Sequence, residues 1–189
     1  MDINQQTKSG LTPFYHACHN NNIEIVSLLL MDHRLDVNKQ SNYGESPFHK
    51  SCRHPEICKL LLQDARVNPN TKNKYNRKTP LHNACESLNQ GDVLVFLKQL
   101  IASDRFIDIY SLDQEDNTPK QIAQEARDQD VVRLIENYEN NQKETVVLDI
   151  RTELGLSPLK KQQKFIYACA DGRLNDLKKL LYSNRKITL

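Results

Sequence analysis

Two clusters place thiols and imidazoles at spacings that metal sites and nucleophile–base pairs use: His16-x-Cys18-His19 and His49-x-x-Cys52-x-His54. A third pair, His82 and Cys85, lies three residues apart, one helical turn, where an imidazole could deprotonate a thiol. Zinc chemistry would require four ligands about 2.0–2.3 Å from a common point. Covalent catalysis would require a third group to orient the base, and donors for an oxyanion. The sequence supplies neither an orienting partner nor a phosphate-cradling glycine loop. The thiols also recur in register: Cys18, Cys52, Cys85 and Cys169 each follow a small residue in a similar local context. Residues repeated at one position of stacked helices lie about 10 Å apart, the distance between packed helices. That is too far for a shared metal, and beyond the roughly 7 Å Cα separation a disulfide tolerates. The expectation is therefore no catalytic residue, no metal site and no cofactor, with the cysteines as small buried hydrophobes.

The elements behind this recurrence repeat along the chain. Thr12-Pro13-Phe14-Tyr15-His16-Ala17, Ser46-Pro47-Phe48-His49-Lys50-Ser51, Thr79-Pro80-Leu81-His82-Asn83-Ala84 and Thr118-Pro119-Lys120-Gln121-Ile122-Ala123 are copies of one helix start. The Thr or Ser is an N-cap, and the Pro sits at the first helical position, where its missing N–H is no loss. After each start comes an apolar stripe at helical spacing. The stripes are Ile23, Val26, Leu29 and Leu30; Ile57, Leu60 and Leu61; Val93, Phe96, Leu97 and Leu100; and Val131, Leu134 and Ile135. An extended finger follows each helix pair, read as Asp36-Val37-Asn38, Arg66-Val67-Asn68 and Asp108-Ile109-Tyr110. Asp2-Ile3-Asn4, Gly10 and Thr12 repeat the finger spacing with no helix pair before it, so that either the first stripe is left open at that end or the chain is an excerpt from a longer array.

A period near 33 residues with a T-P-L-H-x-A core resembles the ankyrin-repeat family. The resemblance is specific in the first three copies and weaker in the fourth, where Lys120-Gln121 stands for Leu-His. It implies an all-α ankyrin-repeat solenoid of stacked helix–turn–helix units with extended finger loops. It also implies that His49 and His82 hydrogen-bond between repeats. Residues 1–141 form about four repeats, the first preceded by a bare finger. Residues 142–156 form a connector in which Val146, Ile150 and Leu154 mark an amphipathic helix stopped by Gly155. Residues 157–189 read as a further ankyrin-like helix pair, a C-terminal cap or the start of another repeat. Residues 113–141 carry eight acids against three bases, and 157–189 eight bases against two acids. This opposition predicts that the last helix pair docks on the fourth repeat and that the connector completes one stack.

Function classes narrow accordingly. The 189 residues carry a net charge of +2, too mild to imply nucleic acid. A mean hydropathy of −0.67 suits a thin, surface-rich array. No signal peptide or membrane-spanning run is visible, which makes a reducing, cytoplasmic setting the default, with the nucleus as the alternative. The resemblance implies a non-enzymatic scaffold that binds another protein through finger tips and the concave helix surface. Carried onto this chain, the family's variable positions are Asn42, Tyr43, Glu45, Arg53, Tyr75, Asn76, Lys78, Glu86, Gln114, Glu115 and Asn117. The basic run from Lys72 to Lys78 frames Tyr75, a composition typical of binding hot spots. Asn38, preceded by Leu30, Asp36 and Val37, resembles an asparaginyl hydroxylation site, but the reading preferred is a finger Asn that satisfies backbone groups. Rival readings are a regulatory or targeting segment of a larger enzyme or effector and, more weakly, nucleic-acid binding through the fingers.

Overall fold

The computed structural model describes residues 2–86, 90–103, 105–140 and 143–157, together with Cys169 and Gly172. Every described element is a helix or turn. Four helix pairs stack in two layers. The inner layer is α1 (Pro13–His19), α3 (Pro47–Lys50), α5 (Pro80–Cys85) and α7 (Pro119–Glu125). The outer layer is α2 (Ile23–Leu30), α4 (Pro55–Gln63), α6 (Gln90–Ala102) and α8 (Gln129–Asn140). Each helix packs on the same-layer helix of the next repeat and on its own partner, except that in repeat two the turn at Ser51–Arg53 rather than α3 itself meets α4, so the stripes predicted from the sequence close into one continuous core. Phe14, Ile57, Leu61, Leu81, Phe96 and Ile135 are almost wholly buried in it. The Phe48 and Phe96 rings meet with centroids 5.7 Å apart, joining repeats two and three.

Each inner helix starts as the capping residues dictate. Thr12 Oγ1 accepts from Tyr15 N at 3.0 Å, and Thr118 Oγ1 from Gln121 N at 3.2 Å, while Pro occupies the first turn of all four. In repeats one and four the inner helix ends on a left-handed residue, Asn21 (φ 56°) or Arg127 (φ 59°). Asn22 N then bonds back to Ala17 O, and Asp128 N to Ala123 O. Repeat two lacks room for that turn. After Lys50 the helix tightens to a 3₁₀ turn at Ser51–Arg53, and Pro55 opens α4 at once.

The two ends of the stack differ in polarity. In repeat one Ile25 and Leu28 are 48% and 63% exposed. Their counterparts one repeat later, Ile57 and Leu60, are fully and half-buried inside the stack. At the far end, residues 113–140 expose no large hydrophobic side chain. There Lys120 takes the position of the buried Leu81, and its Nζ reaches Glu139 at 2.9 Å and Glu136 at 3.4 Å.

Residues 143–156 continue the chain after α8. They form α9 (Lys143–Glu153), ended by Gly155 at φ 64° with Leu156 N bonded to Arg151 O at 2.7 Å, a Schellman closure. α9 packs on α6 and α8 of the outer layer. Val147 and Ile150 are buried there, Lys98 pairs with Glu153, and Arg151 Nη1 donates to Ala102 O at 2.5 Å. A charged outer face on α7 and α8 offers an apolar stripe nothing to bury against, whereas the back of α6 does. The helix pair expected in 157–189 lies outside the described residues apart from Ser157, Cys169 and Gly172. Cys169 is exposed, unlike its proposed counterparts.

Candidate partner-binding groove

His49 and His82 are structural ties. His49 Nδ1 accepts from Ser46 N at 3.1 Å, and its Nε2–H donates to Lys78 O at 3.2 Å in the next finger. His82 repeats this with Thr79 N (3.1 Å) and Asn117 O (3.1 Å). Each ring thus closes its own helix cap and pins the following finger. Burial, opposed by the bond to Lys78 O, lowers the His49 pKa to about 4, and burial lowers His82 in the same direction. The outer repeats use other chemistry at this position. Tyr15 donates its hydroxyl to Glu45 Oε2 at 2.9 Å, and Gln121 Oε1 accepts from Thr118 N at 2.7 Å.

Three asparagines lock the fingers together. Asn4 Nδ2 donates to Arg34 O (2.8 Å) while its Oδ1 accepts from Asp36 N (2.8 Å). Asn38 bridges Arg66 O (2.7 Å) and Asn68 N (2.8 Å), and Asn70 bridges Phe106 O (2.8 Å) and Asp108 N (2.8 Å). The equivalent of Asp36-Val37-Asn38 is therefore Asn68-Pro69-Asn70, two residues later than the Arg66-Val67-Asn68 register read from the sequence. Asn38 satisfies backbone groups on the next finger, with both ends of its amide engaged. Gln6 and Gln40 make a second row, each bonding its own finger's glycine carbonyl and the next finger's backbone. At the tips, Asn42 N, Lys74 N and Gln114 N donate to Ser9, Tyr43 and Asn76 carbonyls. This close approach demands glycine at Gly44 (φ 79°), where a Cβ would stand 2.2 Å from Lys74 N.

Between these pinned fingers and the inner helices runs a groove in two parts. The first, about 670 Å³, spans repeats one to three and is lined by Glu45, Lys50, Arg53, His54, Asn76 and Glu86 among others. The second, about 470 Å³, lies between repeats three and four and is lined by Lys78, Glu86, Asp113, Glu115, Asn117 and Glu125 among others. Of the residues expected to meet a partner, Glu45, Arg53 and Asn76 fall in the first part, and Lys78, Glu115 and Asn117 in the second. Glu86 borders both. Tyr43 and Tyr75 stand at the finger tips, 63% and 79% exposed. Asn42 and Gln114 are exposed tip residues whose backbone joins neighbouring fingers.

Glu45 is less available than its position suggests. Burial raises its pKa, but Lys50 Nζ at 2.7 Å and the Tyr15 hydroxyl outweigh that and hold the carboxyl below its usual range. His19 and Glu125 line the groove as the repeat counterparts of Arg53 and Glu86, and Lys50 and Asn83 as counterparts of each other. Sequence reasoning left out all four. Carrying the position of Arg53 and Glu86 through every copy finds His19 and Glu125, whereas no chosen position leads to Lys50 and Asn83.

The buried thiols are poorly placed for reaction. Burial pushes Cys18 and Cys85 up to about 12 and Cys58 well above the ordinary thiol range, the reverse of nucleophile activation. Both His82 nitrogens are engaged by Thr79 and Asn117, so the ring does not serve Cys85 as a base. Among the described residues no three His, Cys, Asp or Glu are grouped as a metal site requires, and no helix is long and apolar enough to cross a membrane. Compared with known proteins, residues 1–73 match the family model for ankyrin repeats (3 copies). No curated protein matches the chain.

Proposed function

The chain is an ankyrin-repeat solenoid, a fold generally used for protein–protein interaction, and from that premise we propose that it is a non-enzymatic scaffold. It grips one partner protein between its finger tips and concave groove. The observation that carries this reading is the pair Tyr43 and Tyr75. Both are large, exposed aromatics on tips whose backbone is fixed by inter-finger bonds, and neither has a packing role in the fold. Rigid, exposed Tyr beside Lys74 and Arg77 is the composition of a binding hot spot. Buried free thiols fit a reducing, cytoplasmic setting.

A second reading, a regulatory or targeting segment of a larger protein, is favoured by the exposed Ile25 and Leu28, which occupy positions buried elsewhere in the stack. The test is affinity capture from the source cell with the wild type and with Tyr43→Ala and Tyr75→Ala. Each substitution should weaken the recovered complex by about 1–4 kcal/mol with unchanged melting. Undiminished binding by the double variant would move the site elsewhere. A steep fall of log affinity with log salt would favour nucleic acid instead.

A further inference from the structure

The groove between repeats three and four holds a carboxylate oxygen that the fold leaves unsatisfied. Asp113 is fully buried, and its Oδ1 caps the finger tip by accepting from Glu115 N and Asn117 N, each at 2.9 Å. Its Oδ2 accepts no hydrogen bond. The nearest cation, Lys78 Nζ, stands 3.8 Å away, beyond hydrogen-bond reach, because it is drawn onto Glu86 Oε1. Glu86, Glu115 and Glu125 line the same cleft, and Lys78 is the one base among its lining residues. A buried carboxylate with an open lone pair and one shared, off-axis counter-ion is costly, and a donor that reaches it repays that cost on binding.

We propose that this cleft is a subsite for an arginine side chain of the partner protein, whose guanidinium donates to Asp113 Oδ2 while Glu86, Glu115 and Glu125 compensate its charge. Arginine fits better than lysine, because its planar fork can serve Asp113 and a neighbouring carboxylate together, whereas an ammonium repeats what Lys78 already offers. Lys78 is the resident competitor. On binding it stays with Glu86 and yields the Asp113 side of the cleft. This inference rests on the protein-binding reading and adds to it the charge and shape of one anchor residue.

The test is selection of a random-peptide phage library on the immobilised full chain, followed by synthesis of the winning peptide with arginine or its neutral isostere citrulline. Arginine should be enriched, and citrulline should weaken binding about tenfold or more. Asp113→Asn, which keeps the Oδ1 cap, should cause a like loss and make the citrulline exchange nearly neutral. Lys78→Gln should tighten the arginine peptide. Glu115→Gln with Glu125→Gln, both on exposed side chains, should weaken it severalfold without disturbing the fold. Winning peptides without arginine, or a citrulline exchange that changes nothing, overturn the proposal. If binding is lost on Tyr43→Ala and Tyr75→Ala yet ignores Asp113→Asn, the scaffold reading survives and the subsite falls. If it ignores all three, both fall.

Discussion

Acidification should weaken the fold through His49. The ring is almost fully buried, accepts at Nδ1 from Ser46 and donates at Nε2 to Lys78 O, so only the neutral tautomer satisfies both bonds. Its pKa falls from 6.5 in the unfolded chain to about 4 in the fold. Above pH 7 both states are neutral and the contribution is complete. As pH drops below 6.5 the unfolded chain takes up a proton that the folded ring refuses, so stability is lost until the folded pKa is reached. At about 1.4 kcal/mol per pH unit, the loss between pH 7 and pH 5 is about 2 kcal/mol from this residue, and His82 adds in the same direction. The control lies within the chain, since Gln121 makes the same cap bond to Thr118 N without a titrating ring. His49→Gln should therefore cost about 0.5–1.5 kcal/mol at pH 7 for the lost bond to Lys78 O, and flatten the pH dependence by about 2 kcal/mol. Urea unfolding at several pH values measures both. An unchanged slope in His49→Gln would refute the reasoning.

Asn38→Ala removes bonds to Arg66 O and Asn68 N and should lower stability by about 1–2 kcal/mol, discounted because water reaches the site. Asn68→Ala, the residue favoured by the sequence register, should matter less, and chemical denaturation separates the two. Cys85→Ser places a hydroxyl in the buried core and should cost about 1–3 kcal/mol by the same assay. Stoichiometric zinc in the purified protein, read by elemental analysis, would overturn the structural role of these thiols. Removing residues 143–189 uncovers the α6 surface that Val147 and Ile150 bury, so melting should fall and light scattering should report self-association.

The repeat start was readable because Thr12-Pro13 and its copies state a local rule that needs no tertiary information. The finger register was not, because Arg66-Val67-Asn68 imitates Asp36-Val37-Asn38 in composition. What fixes the register is that an Asn amide must span to the next finger, which Asn70 does, and that is a long-range fact. For α9 the stripe of Val146, Ile150 and Leu154 revealed a helix in want of a surface but could not say which surface. The answer depended on Lys120, whose substitution for a core leucine makes the far end polar. The groove residues followed from position within the repeat. Asp113 did not, because one carboxylate oxygen engaged and the other idle is a fact of three-dimensional arrangement.

The bridges made by Asn4, Asn38 and Asn70 use the same atoms at every step, each finger receiving from the one before and giving to the one after. Such a seam has no preferred length. Duplicating or excising one whole unit would leave every donor matched to an acceptor, whereas removing two or three residues from a finger would break the seam on both sides. The groove can thus be lengthened or shortened in whole increments without redesigning its walls, and a lineage could alter what the scaffold grips by copying a unit before changing any residue in it.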